Sequence, residues 1–376
     1  MNTVTPRIFI AATEQNVGKT TTSLGLYGAL RKRFGPIGFI KPVGQRFIDV
    51  EGKRIDEDSV LIRDTFGTQI PIEDMSPIAV EPDFTRRYIE RSNSEQLVRR
   101  IRHSFDRASW EKNFAIIEGT GHAGVGSVFD LSNARVARLL QSKVILVTPG
   151  GIGRPIDEAA VNKALFDAEG VEVIGVIMNK VLPSKYDYIS DFGKRGFERL
   201  GLELLGVMPQ ERMLSEPTLV DVCGVIRGEV LSGQDMLRRR ASTVMIGAMQ
   251  AGNVLDRLET NTLLVVPGDR EDIILAAISH AVAGIDPHQA NLSALVLSES
   301  LRPESAAIAE LIATAPLPII ASPMDSYTIA SRIHSMTVKT LPGDSEKIER
   351  IQQLVSEHVN VDRILDKIGV PRSMAL

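Results

Sequence analysis

The run Ala12-Thr13-Glu14-Gln15-Asn16-Val17-Gly18-Lys19-Thr20 follows the apolar segment Ile8-Phe9-Ile10-Ala11 and leads into Thr21-Thr22-Ser23-Leu24-Gly25-Leu26-Tyr27. That order confines the region to a strand, a tight loop and a helix, with Gly-Lys-Thr where the loop becomes the helix. Anions bind at such junctions because first-turn N–H groups lack intrahelical acceptors and the helix dipole favours negative charge. Gly18 lets the backbone approach a phosphate, Lys19 adds a cation, and the Thr20 hydroxyl is of the kind that ligates Mg2+. In the usual P-loop four residues precede Gly-Lys-Ser/Thr; here five separate Ala12 from Gly18. A bare Gly-Lys-Thr also opens ordinary helices. The strand before it and the helix after it point to a nucleotide site.

The same alternation continues along the chain. Strand-like runs occupy 8–12, 37–40, 114–117, 144–147, 173–178 and 204–208, with helical spacing over 94–105, 133–140, 156–168 and 186–200. Continuous apolar runs separated by helices predict an α/β fold with a mostly parallel sheet covered on both faces. Ligands then bind beyond the strand carboxyl ends. The residues there are chemically rich: the P-loop, Lys41-Pro42, Glu118-Gly119-Thr120-Gly121-His122, Thr148-Pro149-Gly150-Gly151 and Asn179-Lys180.

A length of 376 residues suggests two or three domains. The boundary is expected near 211–217, giving a nucleotide-binding domain over 1–212 and a smaller α/β domain over 213–376. The stretch through Gly224, Gly228 and Gly233 reads as loop-rich. Shorter elements follow at 243–248, 263–266, 294–297 and 318–321, with helices at 270–282, 304–313 and 325–333. Ile348, Ile351, Leu354 and Val355 mark a terminal amphipathic helix over 344–359.

The net charge of −4 gives no reason to expect nucleic acid or an anionic membrane as partner. The clusters Arg99-Arg100-Ile101-Arg102 and Arg238-Arg239-Arg240 read as a solvated helix face and an exposed linker. Cys223 is the only cysteine, which fits a reducing cytoplasm. The amino terminus shows no signal segment, and no apolar run approaches the ~20 residues of a bilayer span.

Several residues at the strand ends could carry chemistry. Lys41 is suited to neutralise charge in phosphoryl transfer, or is a surface lysine. Glu118, directly after an apolar strand, stands where a metal-linked carboxylate belongs. Asp56 or Asp58 would complete a Mg2+ shell with Thr20 and Glu118, or would cap the following helix. The amide of Asn179 suits a purine edge or a turn. His122 suits acid–base chemistry or an anion, or is an ordinary loop histidine, and Gly119–Ser127 forms a polar glycine-rich run suited to a small acid.

Taken together, 13–20, Lys41-Pro42-Val43, Glu118-Gly119-Thr120-Gly121 and Gly175-Val176-Ile177-Met178-Asn179-Lys180 resemble dethiobiotin synthetase and its relatives. The resemblance implies ATP and Mg2+ as cofactors. It implies catalytic roles for Lys19, Lys41 and Glu118, and Thr20, Asp58 and Glu118 as metal ligands. The nucleotide-contacting set is Thr13, Glu14, Gln15, Asn16, Val17, Gly18, Lys19, Thr20, Thr21, Asn179 and Pro209. The nucleotide half of the family's pattern is kept, although its members usually have Glu where Asn16 stands. The family's substrate loops are not kept, at Gly44-Gln45-Arg46 and His122, so biotin chemistry is not expected.

Almost the whole chain resembles the amino-terminal, non-catalytic half of the long bacterial phosphate acetyltransferases, a synthetase-like P-loop domain followed by a DRTGG-type domain. Thr262-Leu263-Leu264-Val265-Val266-Pro267-Gly268-Asp269-Arg270 and Ala294-Leu295-Val296-Leu297 carry the second part. The literal DRTGG string is absent, and Asp269 and Arg270 equally suit helix capping. Acetyl transfer by this polypeptide alone is not expected. The resemblance implies a regulatory or sensor protein that binds and hydrolyses Mg-ATP, with a partner enzyme and a homodimer or higher oligomer. The alternatives are an ATP-dependent ligase acting on a small acid and a non-hydrolysing scaffold.

Overall fold

The computed structural model describes residues 1–283 and 291–370. Residues 284–290 and 371–376, part of the span expected for the second domain, lie outside the described residues. The chain forms two compact units, one of 1–210 together with the chain from Thr340, the other of 211–339.

In the first unit, six strands form one parallel sheet: β1 (Arg7–Ala12), β2 (Ile37–Ile40), β3 (Phe114–Glu118), β4 (Lys143–Pro149), β5 (Val173–Val181) and β6 (Leu204–Pro209). Their order is β6-β5-β4-β1-β3-β2. Helices flank the sheet, so its central strands are covered on both faces. Every residue of β1 and β3 is buried, which is why they read as unbroken apolar runs. Helix α1 (Lys19–Phe34) follows the P-loop, and α2 (Glu57–Phe66) follows a hairpin of Phe47–Val50 and Lys53–Asp56. The helix Ser94–Ser109 buries Ile101 and leaves Arg99 to pair with Glu95 at 3.5 Å, a solvated basic face.

The carboxyl-terminal helix corrects the expected domain span. The sequence places it in the second domain, but from Thr340 the chain returns to the first unit. Helix Ser345–His358 buries Ile348, Ile351, Leu354 and Val355. It lies against α1, where Gly25 and Gly28 make room: Cβ atoms there would fall 2.2 Å from Val355 Cγ2 and 2.8 Å from Gln352 Oε1. Val359 then bridges antiparallel to Gly206, and Asn360 N–H donates to the Leu205 carbonyl at 2.8 Å. This covers part of the open edge of β6. Amphipathic periodicity shows that such a helix forms, not which neighbour it packs against.

The second unit holds β7 (Glu229–Ser232), β8 (Thr243–Ile246), β9 (Thr262–Pro267), β10 (Leu292–Ser298) and β11 (Ile319–Ala321), in the order β7-β11-β10-β9-β8. Only β7 runs antiparallel. Leu264 and Val266 face one buried cluster with Ile273, Ile274 and Leu295, while Leu263 and Val265 face another with Val296, Ile320 and Ile329. Alternate residues of β9 therefore serve two cores.

Two local expectations fail here. The region read as loop-rich contains the helix Leu219–Ile226 and strand β7. A capping box between Thr218 and Asp221 starts that helix, and Leu219, Val222 and Ile226 are buried, so tertiary packing overrides its internal glycine. Arg270 occupies the cap position before Glu271 but makes no side-chain cap. Its guanidinium grips Asp272 with two 2.8 Å hydrogen bonds and donates to the Met249 carbonyl. Among the described residues, no helix is long and apolar enough to cross a membrane.

Candidate functional site

Strand β1 lies between β3 and β4; the chain leaves β1 toward β2 on one side and leaves β4 toward β5 on the other. The carboxyl end of β1 is therefore a topological switch point, the crevice where open parallel sheets bind ligands. The P-loop occupies that point. Thr13 N–H donates to the Val147 carbonyl at 3.0 Å, and Asn16 and Gly18 turn the chain with φ of 60° and 103°. Helix α1 begins at Lys19, so Lys19, Thr20 and Thr21 form its first turn. Thr13 and Val17 are buried, while Gln15 and Asn16 face solvent.

Beside this loop lies a buried ionic cluster. Lys41, just past β2, is 7% exposed. Its Nζ is 3.1 Å from Asp56 Oδ1, hydrogen-bonds Asp58 Oδ2, and lies 3.5 Å from Glu118 Oε1. Asp56 also caps α2, its Oδ1 accepting from Asp58 N–H at 3.0 Å, so the capping alternative holds at Asp56, and the same oxygen meets Lys41. Ser76 Oγ accepts from Asp56 N–H at 2.9 Å and fixes that turn. Gly44 leaves space for the carboxylate, since a Cβ there would lie 2.6 Å from Asp56 Oδ2.

Thr20 Oγ1 donates to Glu118 Oε1 at 3.2 Å and links the P-loop to the cluster. The second oxygens of Glu118 and Asp56 are buried with no hydrogen-bond partner. Burial, reinforced by Asp58, pushes the Glu118 carboxyl up to about 7. Burial brings the Lys19 ammonium down to about 8, although the Glu118 charge opposes this. Burial also works against the Lys41 charge, but Asp58, Asp56 and Glu118 outweigh it and hold the ammonium well above its usual range. At Asp58 burial is overcome by Lys41, which keeps that carboxyl low, whereas burial wins at Asp56.

Orphaned buried carboxylate oxygens beside a threonine hydroxyl suit a hard cation such as Mg2+, which takes oxygen ligands. Thr20, Asp58 and Glu118 are the residues that would hold it. Among the described residues, no three His, Cys, Asp or Glu side chains are grouped to hold a metal by themselves. Phosphate and water oxygens would have to complete the shell.

The end of β5 braces the P-loop. Asn179 Nδ2 donates to the Val17 carbonyl at 2.8 Å, and Lys180 Nζ to the Asn16 carbonyl at 2.7 Å. Asn179 Oδ1 accepts from Lys180 N–H at 2.9 Å. Glu14 pairs with Arg154 at the start of helix Arg154–Ala168. Pro209 ends edge strand β6 in register with Val181.

The Gly119–Ser127 run is held by two asparagines absent from the sequence-derived site. Asn133 Oδ1 accepts from Thr120 N–H at 3.0 Å, and its Nδ2 donates to the Thr120 and His122 carbonyls, both at 2.7 Å. Asn162 Oδ1 accepts from Ala123 N–H at 2.7 Å, and its Nδ2 donates to the Thr13 carbonyl at 3.3 Å. His122 is exposed, with Nδ1 accepting from Gly124 N–H at 3.2 Å. Bonds from asparagine to distant backbone leave no local sequence signal.

Phosphate acetyltransferase of Pseudomonas aeruginosa strain PAO1 is 28% identical over 385 residues, covering 98% of this chain and 53% of the relative. That of Nitrosomonas europaea is 27% identical over 98% of this chain and 52% of the relative. The chain thus spans about half the length of the curated relatives it matches, and its likeness to the amino-terminal half of those proteins stands. Among solved structures, the MinC:MinD cell division complex of Aquifex aeolicus overlaps 55% of this chain and 83% of its own, at 17% identity and a TM-score of 0.35. The CBS and DRTGG domains of Clostridium perfringens pyrophosphatase, solved with diadenosine tetraphosphate, overlap 37% of this chain and 60% of theirs, at 21% identity and a TM-score of 0.26. Both overlaps are partial, and the fold assignment rests on the parallel sheet and its P-loop. With the AAA domain model AAA_26 matching residues 6–218 and the DRTGG domain model matching 221–336, the chain belongs to the AAA_26 family and carries a DRTGG domain behind its P-loop domain.

Proposed function

We propose that this protein binds ATP with Mg2+ in its first unit and serves as a regulatory module whose nucleotide state is passed to a partner. The observation that carries the reading is the meeting of Lys19 and Thr20, in the first turn of α1, with buried Glu118 and Lys41 at the switch point. The first-turn amides and Lys19 would receive the phosphates. Asn179 and Lys180 keep the loop open by holding the Val17 and Asn16 carbonyls away from the anion. Lys41 has the charge and reach to follow a phosphate as it leaves. Mg2+ would supply charge neutralisation on the phosphate oxygens.

A ligase reading draws on the glycine-rich run, but its backbone donors at Thr120, Ala123, Gly124, Val125 and Ser127 already hold the loop together. That favours the regulatory reading over a small-acid pocket. Acetyl transfer is named for the relatives, not proposed for this chain. The reading includes self-association and a cytoplasmic setting in which Cys223 stays reduced; light scattering on the purified protein tests the former.

The test is ATP binding and phosphate release with Mg2+, with Lys19→Ala as control. Binding that falls at least ~10-fold in Lys19→Ala, equivalent to about 1.4 kcal/mol, is the expected result. Unchanged affinity in that variant would remove the site assignment. Glu118→Gln should still bind ATP while losing metal-dependent release.

A further inference from the structure

We propose that Lys41 is an internal stand-in for the divalent cation, so that the carboxylate cluster accepts Mg2+ only when nucleotide draws the ammonium away. The inference rests on the nucleotide reading above and goes beyond it to the order of binding.

The argument begins with charge. Asp56, Asp58 and Glu118 converge on one lysine, and Asp56 and Glu118 are 2% and 1% exposed. Carboxylates buried this deeply need a cation close by. The Lys41 ammonium brings one charge and three donors, all directed at this group. It does not satisfy them: Glu118 Oε2 and Asp56 Oδ2 remain buried without partners. The acceptor set is built for more positive charge than Lys41 provides.

Sterics and charge make the two cations mutually exclusive. Asp58 and Glu118, the carboxylates that would ligate Mg2+, are the ones Lys41 already contacts. A metal beside the ammonium would meet a like charge within a few ångströms, in surroundings that screen poorly. The lysine can leave, because a four-carbon stem lets its head group swing while its root stays fixed. Its root is fixed by Lys41 N–H donating to the Met75 carbonyl at 2.8 Å. A phosphate on the P-loop offers the ammonium a new anion and frees the carboxylates together.

The experiment measures Mn2+ binding by the electron paramagnetic resonance of the free ion, which needs no turnover. Without nucleotide, wild-type protein should bind Mn2+ at least ~10-fold more weakly than Lys41→Met. Adding the non-hydrolysable analogue AMP-PNP should raise the wild-type affinity and change the variant far less. Equal Mn2+ affinity of the two nucleotide-free proteins would overturn the proposal. Should Lys41→Met fail to fold, Asp56→Asn/Lys41→Met, which removes one charge of each sign, carries the same comparison with the same two outcomes. Metal-free AMP-PNP binding, with Lys19→Ala as control, separately decides the nucleotide reading. Failure there leaves the Mn2+ comparison intact, and an unchanged Mn2+ affinity leaves nucleotide binding intact.

Discussion

The Asn179 side-chain amide donates to the Val17 carbonyl at 2.8 Å, and its nitrogen occupies the space beside Gly18, where an added Cβ would lie 2.0 Å away. The conformation of the P-loop is thus locked from the end of β5. Gly18 also has a φ of 103°, a region that costs a side chain about 1–3 kcal/mol. Gly18→Ala should keep the fold and weaken ATP binding by about tenfold or more. Gly18→Ala/Asn179→Ala removes the collision but not the backbone strain, and should recover only part of the loss. Calorimetric titration of the two variants checks both statements; full recovery in the double variant would show that strain at Gly18 is irrelevant.

Asn162 joins two loops that lie far apart in sequence. It donates to the Thr13 carbonyl and accepts from Ala123 N–H. Asn162→Ala leaves both groups without a partner, at a cost of about 1–3 kcal/mol each where burial is complete. Asn162→Asp keeps an acceptor for Ala123 but has no donor for Thr13. Hydrogen exchange should therefore show the Ala123 amide deprotected in Asn162→Ala and still protected in Asn162→Asp. Equal deprotection in both would mean that the Ala123 bond is not what holds the loop.

These contacts also mark how far the sequence is legible. The runs Ile8–Ala12 and Phe114–Ile117 announce themselves because strands buried on both faces must be apolar throughout. The P-loop is readable because its chemistry is local. Asp56 reads as a helix cap or a Mg2+ ligand, and only folding shows that its capping oxygen also meets Lys41. Asn133 and Asn162 stayed invisible because asparagine recognises backbone, and any residue has backbone. The helix Leu219–Ile226 was hidden by glycines at 224 and 228, although its face of Leu219, Val222 and Ile226 has helical spacing. The return of the helix Ser345–His358 to α1 was hidden differently: an apolar stripe states a need for a partner without naming it.

The carboxyl-terminal segment should loosen with acid. Arg363 donates to both oxygens of Glu203, at 2.7 and 3.0 Å, and Lys367 pairs with one at 3.0 Å. Hydrogen bonding from Arg363 brings the Glu203 carboxyl down to about 2 from 4.5. In the unfolded chain it titrates at the ordinary value, so below 4.5 the unfolded state binds the extra proton. The stabilisation is complete above 4.5 and is lost as pH falls through 2. Because the pair is over a third exposed, solvent screening limits it to about 1 kcal/mol or less. Glu203→Gln should therefore lower stability near neutral pH, and the difference from wild type should vanish toward pH 2. A difference that grew with acid would contradict the assignment.

Gly25 makes the sharpest claim about how the first unit is assembled. Replacing glycine by alanine inside a helix ordinarily stabilises it by about 1 kcal/mol. At Gly25 the new methyl would fall 2.2 Å from Val355 Cγ2 and 3.1 Å from the Ile351 carbonyl oxygen. The side chain can move, but the carbonyl belongs to the backbone of the facing helix and cannot yield without shifting it. Overpacking of this kind costs about 1–3 kcal/mol, enough to cancel or exceed the propensity gain. Gly25→Ala should therefore be neutral to destabilising in urea denaturation, against the usual rule. Val355→Ala alone opens a cavity and destabilises as well. Combined, the two changes should interact favourably, because the alanine methyl at 25 enters space that Val355 vacates. Simple additivity of the two effects would mean that α1 and Ser345–His358 are not packed through this pair.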